Sequence, residues 1–162
     1  MKLTETNLNF ASKISAAALL TATDKDGKAN TMTVSWGGTG ILWGREVAFV
    51  FVRPERFTFE FCENGDTMSL SFFGKDKKDA LTFCGTKSGR EVDKFQACGL
   101  KYKLENDACF FDDAEVTVVL KKLYAQDLKA ECFVNDSCKS FYQNGGYHKM
   151  YVCEIKDIIQ KY

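Results

Sequence analysis

The chain has 162 residues, 45% hydrophobic and 27% charged, which favours one globular domain with a sizeable core and excludes a disordered chain. Lysine plus arginine equals aspartate plus glutamate at 22 each, so no global positive field draws in nucleic acid, and any anion site must be local. Seven cysteines without a CxxC pair, a single histidine and no long apolar run near the start lead to the expectation of a reduced, soluble, cytoplasmic protein without metal or membrane partner.

In chain order, "LNFASKISAAALL" reads as a short helix with Phe10, Ile14 and Ala17/Ala18 on one face. Strands near Leu19–Thr23 and over Ala29–Trp36 flank "DKDGK", a hairpin with Gly27 at positive φ. A glycine-rich turn separates the two tryptophans, and "EVAFVFV" is a fully buried strand. "PERFTFEFCEN" reads as a helix that Pro54 opens and Asn64-Gly65 stops. "TMSLSFF" alternates as a strand, "KDKKDALTFCG" is a helix closed by Gly85, and "REVDKFQACG" is one closed by Gly99. Strands over Lys101–Leu104, Glu115–Gln126 and Lys149–Ile159 complete the chain. Strands with helices inserted between them point to an antiparallel barrel, and the absence of GxGxxG argues against a dinucleotide fold.

Three clusters carry possible chemistry. In Asn30-Thr31-Met32-Thr33-Val34-Ser35-Trp36, period-two alternation puts Thr31, Thr33 and Ser35 on one face and Met32, Val34 and Trp36 on the other. The hydroxyl face either meets solvent or binds polar atoms. Arg53 and Arg56 flank Pro54 where a strand enters a helix, with Thr58 in the first turn; such a helix start suits phosphate oxygens. Both arginines could equally pair with Glu55, Glu60 or water. In "CGTKSGREVDKF", two glycines allow close backbone approach and Lys94 adds a point charge, or the stretch is an ordinary connection between helices. His148 is either structural or a proton donor.

Taken in order, "NTMTVSWGGTGILWG", "VFVRPERFT", "LSFF", "CGTKSGREVDKF" and "GYHKMYVCEI" resemble the flavin reductase-like family of FMN-binding split barrels, nearest the flavoredoxin type. The resemblance implies one domain, mainly β with inserted helices, built as a Greek-key split β-barrel. It implies FMN held non-covalently near a homodimer interface. Asn30, Thr31, Met32, Thr33, Ser35 and Trp36 would line the ring and ribityl chain, with Cys84 and Gly85 against the cofactor from the loop side. Arg53, Arg56, Thr58, Ser88, Gly89 and Lys94 would hold the phosphate. Phe72 and Phe73 match an aromatic strand-end position or belong to the core, and His148 falls where the family commonly has a histidine. Alternation puts the hydroxyls and Trp36 on opposite faces, so either a bulge breaks the strand or the contacts are mainly backbone, the latter favoured near Gly37-Gly38. The implied activity is reduction of bound flavin by NADH or NADPH, with electrons passed to free flavin, a ferric complex or a redox partner protein. A flavin-binding electron carrier without a nicotinamide site, or a binding module for flavin or another planar cofactor such as haem, are the alternatives.

Overall fold

In the computed structural model, which describes residues 1–161, the period-two apolar segments become strands, seven of them in one antiparallel sheet. These are β1 (Ala18–Thr23), β2 (Ala29–Val34), β3 (Gly37–Leu42), β4 (Arg45–Val52), β5 (Thr67–Phe72), and two long strands, β8 (Val116–Asp127) and β9 (Lys149–Gln160). Two short ones, β6 (Tyr102–Glu105) and β7 (Ala108–Phe111), pair as a separate hairpin. The helices are α1 (Phe10–Ser15), α2 (Phe57–Asn64), α3 (Lys78–Thr86) and α4 (Lys94–Ala97).

The large sheet runs β2-β1-β5-β8-β9-β4-β3. Its inward residues, among them Leu20, Val34, Val50, Leu70, Val118 and Tyr151, form one core, so the sheet curls around a single interior. Among the described residues no ladder joins β2 to β3, although only Ser35 and Trp36 separate them in sequence. That gap is the split of a Greek-key split barrel. The α1 helix packs beside it, with Phe10 and Ile14 buried in the same core and Phe10 edge-on to Phe72 at 5.6 Å. Burying each such side chain stabilises by about 1.5–3 kcal/mol. The other face of β1 sends Leu19 into a second core with Leu81, Cys84, Phe95 and Phe111. The β6–β7 hairpin, α3 and α4 cover that face, so β1 is buried on both sides at all six positions, Thr21 and Thr23 included.

Several boundaries differ from the sequence expectation. The glycine-rich turn is a strand, β3, because its ladder to β4 overrides weak glycine propensity. The first helix stops at Ser15, and Ala17 at φ 89° turns the chain into β1. The Pro54 helix starts only at Phe57, since Arg56 is still extended and its N–H closes a turn onto the Arg53 carbonyl. Gly85 lies inside α3 and does not close it, whereas Gly99 at φ 58° does end α4, a helix shortened to four residues by the Asp93 cap. Gly27 takes φ 77° as expected. The hairpin β6–β7 turns on Asn106-Asp107, both at positive φ, a two-residue primed turn not anticipated from the sequence.

Candidate functional site

The free edge of β2, the end of β4 and the start of α2 converge on a groove with two lobes. The larger, about 160 Å³, is lined by Met32 to Trp36, Phe51, Arg53, Arg56 and His148. The smaller, about 90 Å³, is lined by Met32, Glu55 to Thr58, Thr86 to Gly89 and Lys94. Met32 and Arg56 belong to both, so the lobes are continuous.

The smaller lobe gathers cations and hydrogen-bond donors. At its base the Lys94 ammonium is buried, donating to the Thr31 carbonyl at 2.9 Å and the Cys84 carbonyl at 2.8 Å. Burial holds its pKa below the ordinary lysine value, and nearby Arg56 adds to that. Among the described residues no carboxylate pairs with Lys94, Arg53 or Arg56. Two of the three Lys94 protons are used, and the third is available to a ligand. Arg56 donates through Nη1 to the Gly85 carbonyl at 2.8 Å. The last carbonyls of α3 thus hold both cations in place, as helix C-termini do. On the facing side α2 opens without a side-chain cap, which leaves its first N–H groups for an anion. Thr58 in that first turn accepts from Asn30 Nδ2 at 2.8 Å and keeps its own proton to donate. Gly89 passes so close that an added Cβ would sit 2.9 Å from the Phe57 ring and collide with the Asn30 amide. Ser88 and Gly89 therefore lie directly on the lobe.

The larger lobe is aromatic and edged with backbone. Thr31 gives its carbonyl to Lys94, so its polar groups, and by the two-residue period those of Thr33, point off the sheet edge toward the groove. The hydroxyls themselves are consumed internally. Thr31 Oγ1 donates to the Leu20 carbonyl and accepts from Thr21, and Thr33 Oγ1 donates to the Leu81 carbonyl. The strand ends at Val34, so alternation stops before Trp36, and Ser35 and Trp36 line the same lobe as Met32. That removes the conflict between hydroxyl and Trp36 faces. Asn30, Thr31, Cys84 and Gly85 stand behind the groove as supports. The Cys84 side chain lies in the second core, burial pushes its thiol up to about 12, and Gly85 leaves space for Thr33. Phe72 is core, and Phe73 packs on Phe111.

Residues 128–148 form a long excursion between the paired strands β8 and β9, closed at its base by Leu128 N–H to the His148 carbonyl at 2.9 Å. Arg53 secures it to the groove: Nη2 donates to the Phe141 carbonyl at 2.9 Å, and the guanidinium lies 5.3 Å over the Tyr142 ring. Arg53 therefore stands at the ring-lined lobe, and Arg56 sits between the lobes. Trp36 packs edge-on to Phe141 at 5.2 Å and against His148 at 5.1 Å. Burial first, then Arg53, lowers the His148 pKa to about 4. At neutral pH the imidazole is uncharged, and its Nδ1 shares a hydrogen bond with the Tyr142 hydroxyl at 2.8 Å. Sequence reading missed Phe51, Phe57 and Tyr142, and took Glu55 only as a partner for the arginines and Thr86 and Lys87 only as part of a loop. Phe51 had a signal, because period two from Arg53 puts it on the same face of β4.

Comparison with known proteins identifies the family and the fold. A family model for the flavin reductase like domain matches residues 11–161. The chain belongs to the flavin reductase-like family. No curated protein matches it. Among solved structures, an FMN-binding protein from Thermus thermophilus with bound p-hydroxybenzaldehyde is similar at 21% identity and TM-score 0.69, over 90% of this chain and 71% of that one. Flavoredoxin from Methanosarcina acetivorans is similar at 20% identity and TM-score 0.69, over 90% and 68%. The NADH:FAD oxidoreductase of Streptomyces globisporus C-1027 is similar at 11% identity and TM-score 0.66, over 90% and 75%. At these identities the likeness is one of fold. Among the described residues no helix is long and apolar enough to cross a membrane.

Proposed function

We propose that the protein is an FMN-dependent oxidoreductase that takes electrons from NADH or NADPH and passes them to free flavin, a ferric complex or a protein acceptor. The observation that carries the reading is the buried Lys94 ammonium, without a carboxylate partner, facing an uncapped helix start. A phosphomonoester is the ligand such a pair suits, since it needs several charge-assisted donors to offset its desolvation. FMN ends in a phosphomonoester and FAD does not, which favours FMN although one structural neighbour is named for FAD. Bound there, FMN would supply reversible two-electron chemistry at its ring.

The chain's own residues do the rest. Arg56, Lys94, Thr58 and the first N–H groups of α2 hold the phosphate. The β2 edge offers backbone donors and acceptors to the ring, and Met32 and Trp36 offer apolar contact. His148, neutral, lines the larger lobe beside Trp36. The excursion over residues 128–148, with Gly145 and Gly146 at φ 75° and 67°, covers one end of the groove and limits water there. A second copy of the chain is proposed to cover the remainder, because Trp36, Ile41, Trp43 and Phe141 are all exposed close to the free β3 edge and the groove.

Anaerobic addition of NADH or NADPH to the flavin-loaded protein should bleach the flavin, and air should restore the colour. Reduction by dithionite or a partner reductase but by neither nicotinamide would replace this reading with that of an electron carrier.

A further inference from the structure

Seven free cysteines occur in the chain, and two of them meet: Cys84 Sγ in α3 and Cys98 Sγ at the end of α4 are 4.0 Å apart. Neither contributes a side-chain atom to the groove. Their placement nevertheless bears on it, because the loop carrying Ser88, Gly89 and Lys94 runs from one cysteine to the other. Lys94 is tied to both ends of that loop. Its Nζ donates to the Cys84 carbonyl at 2.8 Å, and its own carbonyl accepts from Cys98 N–H at 3.1 Å.

We propose that Cys84 and Cys98 close reversibly to a disulfide that staples this loop and fixes Lys94 beneath the anion lobe. The sulfurs, already in contact at 4.0 Å, need to approach to about 2.0 Å. The oxidant is a low-molecular-weight disulfide. Cys98, half-buried and the more accessible, loses its proton and attacks one sulfur of the reagent; that S–S bond breaks and a thiol leaves with the proton. Cys84 then attacks Cys98 Sγ, the mixed disulfide breaks, and a second thiol leaves. Two protein thiols become one disulfide, and the reagent gains two electrons and two protons. Burial makes the second step the slower, although Lys94 partly counteracts that by favouring the Cys84 thiolate. Stapling a loop removes freedom from its open states, so the flavin's phosphate end is released more slowly. That consequence rests on the flavin reading; the disulfide itself does not.

The test uses the protein with its flavin, exposed to oxidised glutathione, then alkylated and digested. A linked peptide pair containing Cys84 and Cys98, two hydrogens lighter than the free pair and separated again by dithiothreitol, is expected. FMN release after dilution, followed by flavin fluorescence, should slow roughly threefold or more on oxidation. Cys98→Ser and Cys98→Ala should keep flavin and show neither effect. Separate alkylation of Cys84 and Cys98, with glutathione only on the exposed Cys132 and Cys138, would overturn the proposal. A link with unchanged FMN release would overturn the locking effect. A link in a protein that takes up no FMN would uphold the disulfide and sink the flavin reading instead.

Discussion

Replacing Lys94 with methionine keeps an unbranched apolar stem, one atom shorter, and removes the charge and the donors. In the ligand-free protein two opposing changes follow. The carbonyls of Thr31 and Cys84 lose their partner, at about 1–3 kcal/mol for each buried group left unsatisfied. The desolvation of a buried ammonium, which holds the Lys94 pKa down, is relieved and offsets part of that loss. The net expectation is a destabilisation of about 1–3 kcal/mol, read from urea unfolding. Binding is the sharper measurement. A hydrogen bond to a charged group is worth about 1.5–3 kcal/mol, so FMN affinity should fall by roughly 10- to 150-fold in a fluorescence titration. Riboflavin, which lacks the phosphate, should bind wild type and Lys94→Met within about twofold of each other. Equal losses for the two ligands would show that Lys94 only props the loop, and the anion argument would be wrong.

Arg53→Ala should behave in the opposite way. It releases the Phe141 carbonyl and Tyr142 ring, so FMN and riboflavin should weaken together and the 128–148 excursion should become the first site of limited proteolysis; loss confined to FMN would place Arg53 on the phosphate instead. His148 is neutral in the folded state, with its pKa depressed to about 4 from 6.5, so its stabilising contribution is complete above pH 6.5 and disappears as the pH falls toward 4. Screening at a half-exposed ring reduces that to about 1–2 kcal/mol, and His148→Gln should flatten the urea-unfolding profile between those limits; parallel profiles would refute it. Gly89→Ala should weaken FMN by about tenfold, because a methyl group meets Asn30 and Phe57, while thermal melting in the absence of flavin moves by only a few degrees; unchanged affinity would mean the loop yields freely.

The fold was readable where periodicity was strong. Alternation located β2 and β5, and apolar, β-prone runs located β1, β4, β8 and β9; their inward residues share one core. It failed at β3, where glycines mask a strand that exists only because β4 pairs with it, and at β7, whose signal was the Asn106-Asp107 turn rather than its four residues. The candidate site was legible as residue types but not as roles. Spacing cannot show that the Thr31 and Thr33 hydroxyls turn inward while their backbone faces the groove. Nor can it show that Arg53 and Arg56, three positions apart, separate because a turn and not a helix lies between them. Tyr142 and Phe141 reach the site only through the return of β9 to β4, a contact distant in sequence.

The two central cations also explain why the site can be formed before any ligand arrives. A flexible lysine or arginine recruited from water by a phosphate would lose rotamer entropy at the moment of binding, on the order of 1–2 kcal/mol each. Here that ordering is already done, because Arg56 and Lys94 donate to consecutive carbonyls, Gly85 and Cys84, near the C-terminal end of α3. That end is the negative pole of α3, whereas the start of α2 on the other side of the lobe is a positive pole. The cations are thus attracted from behind by one helix while their remaining protons and the other helix face the ligand. Moving either contribution should be felt at the same place: a carboxylate introduced into the first turn of α2, such as Thr58→Asp, would put a negative charge where the phosphate is proposed to sit. It would satisfy Lys94 internally and stabilise the ligand-free fold while abolishing FMN binding. A Thr58→Asp protein that is both more stable and still yellow would break the argument, since one anion cannot be exchanged for another if they do not share a site.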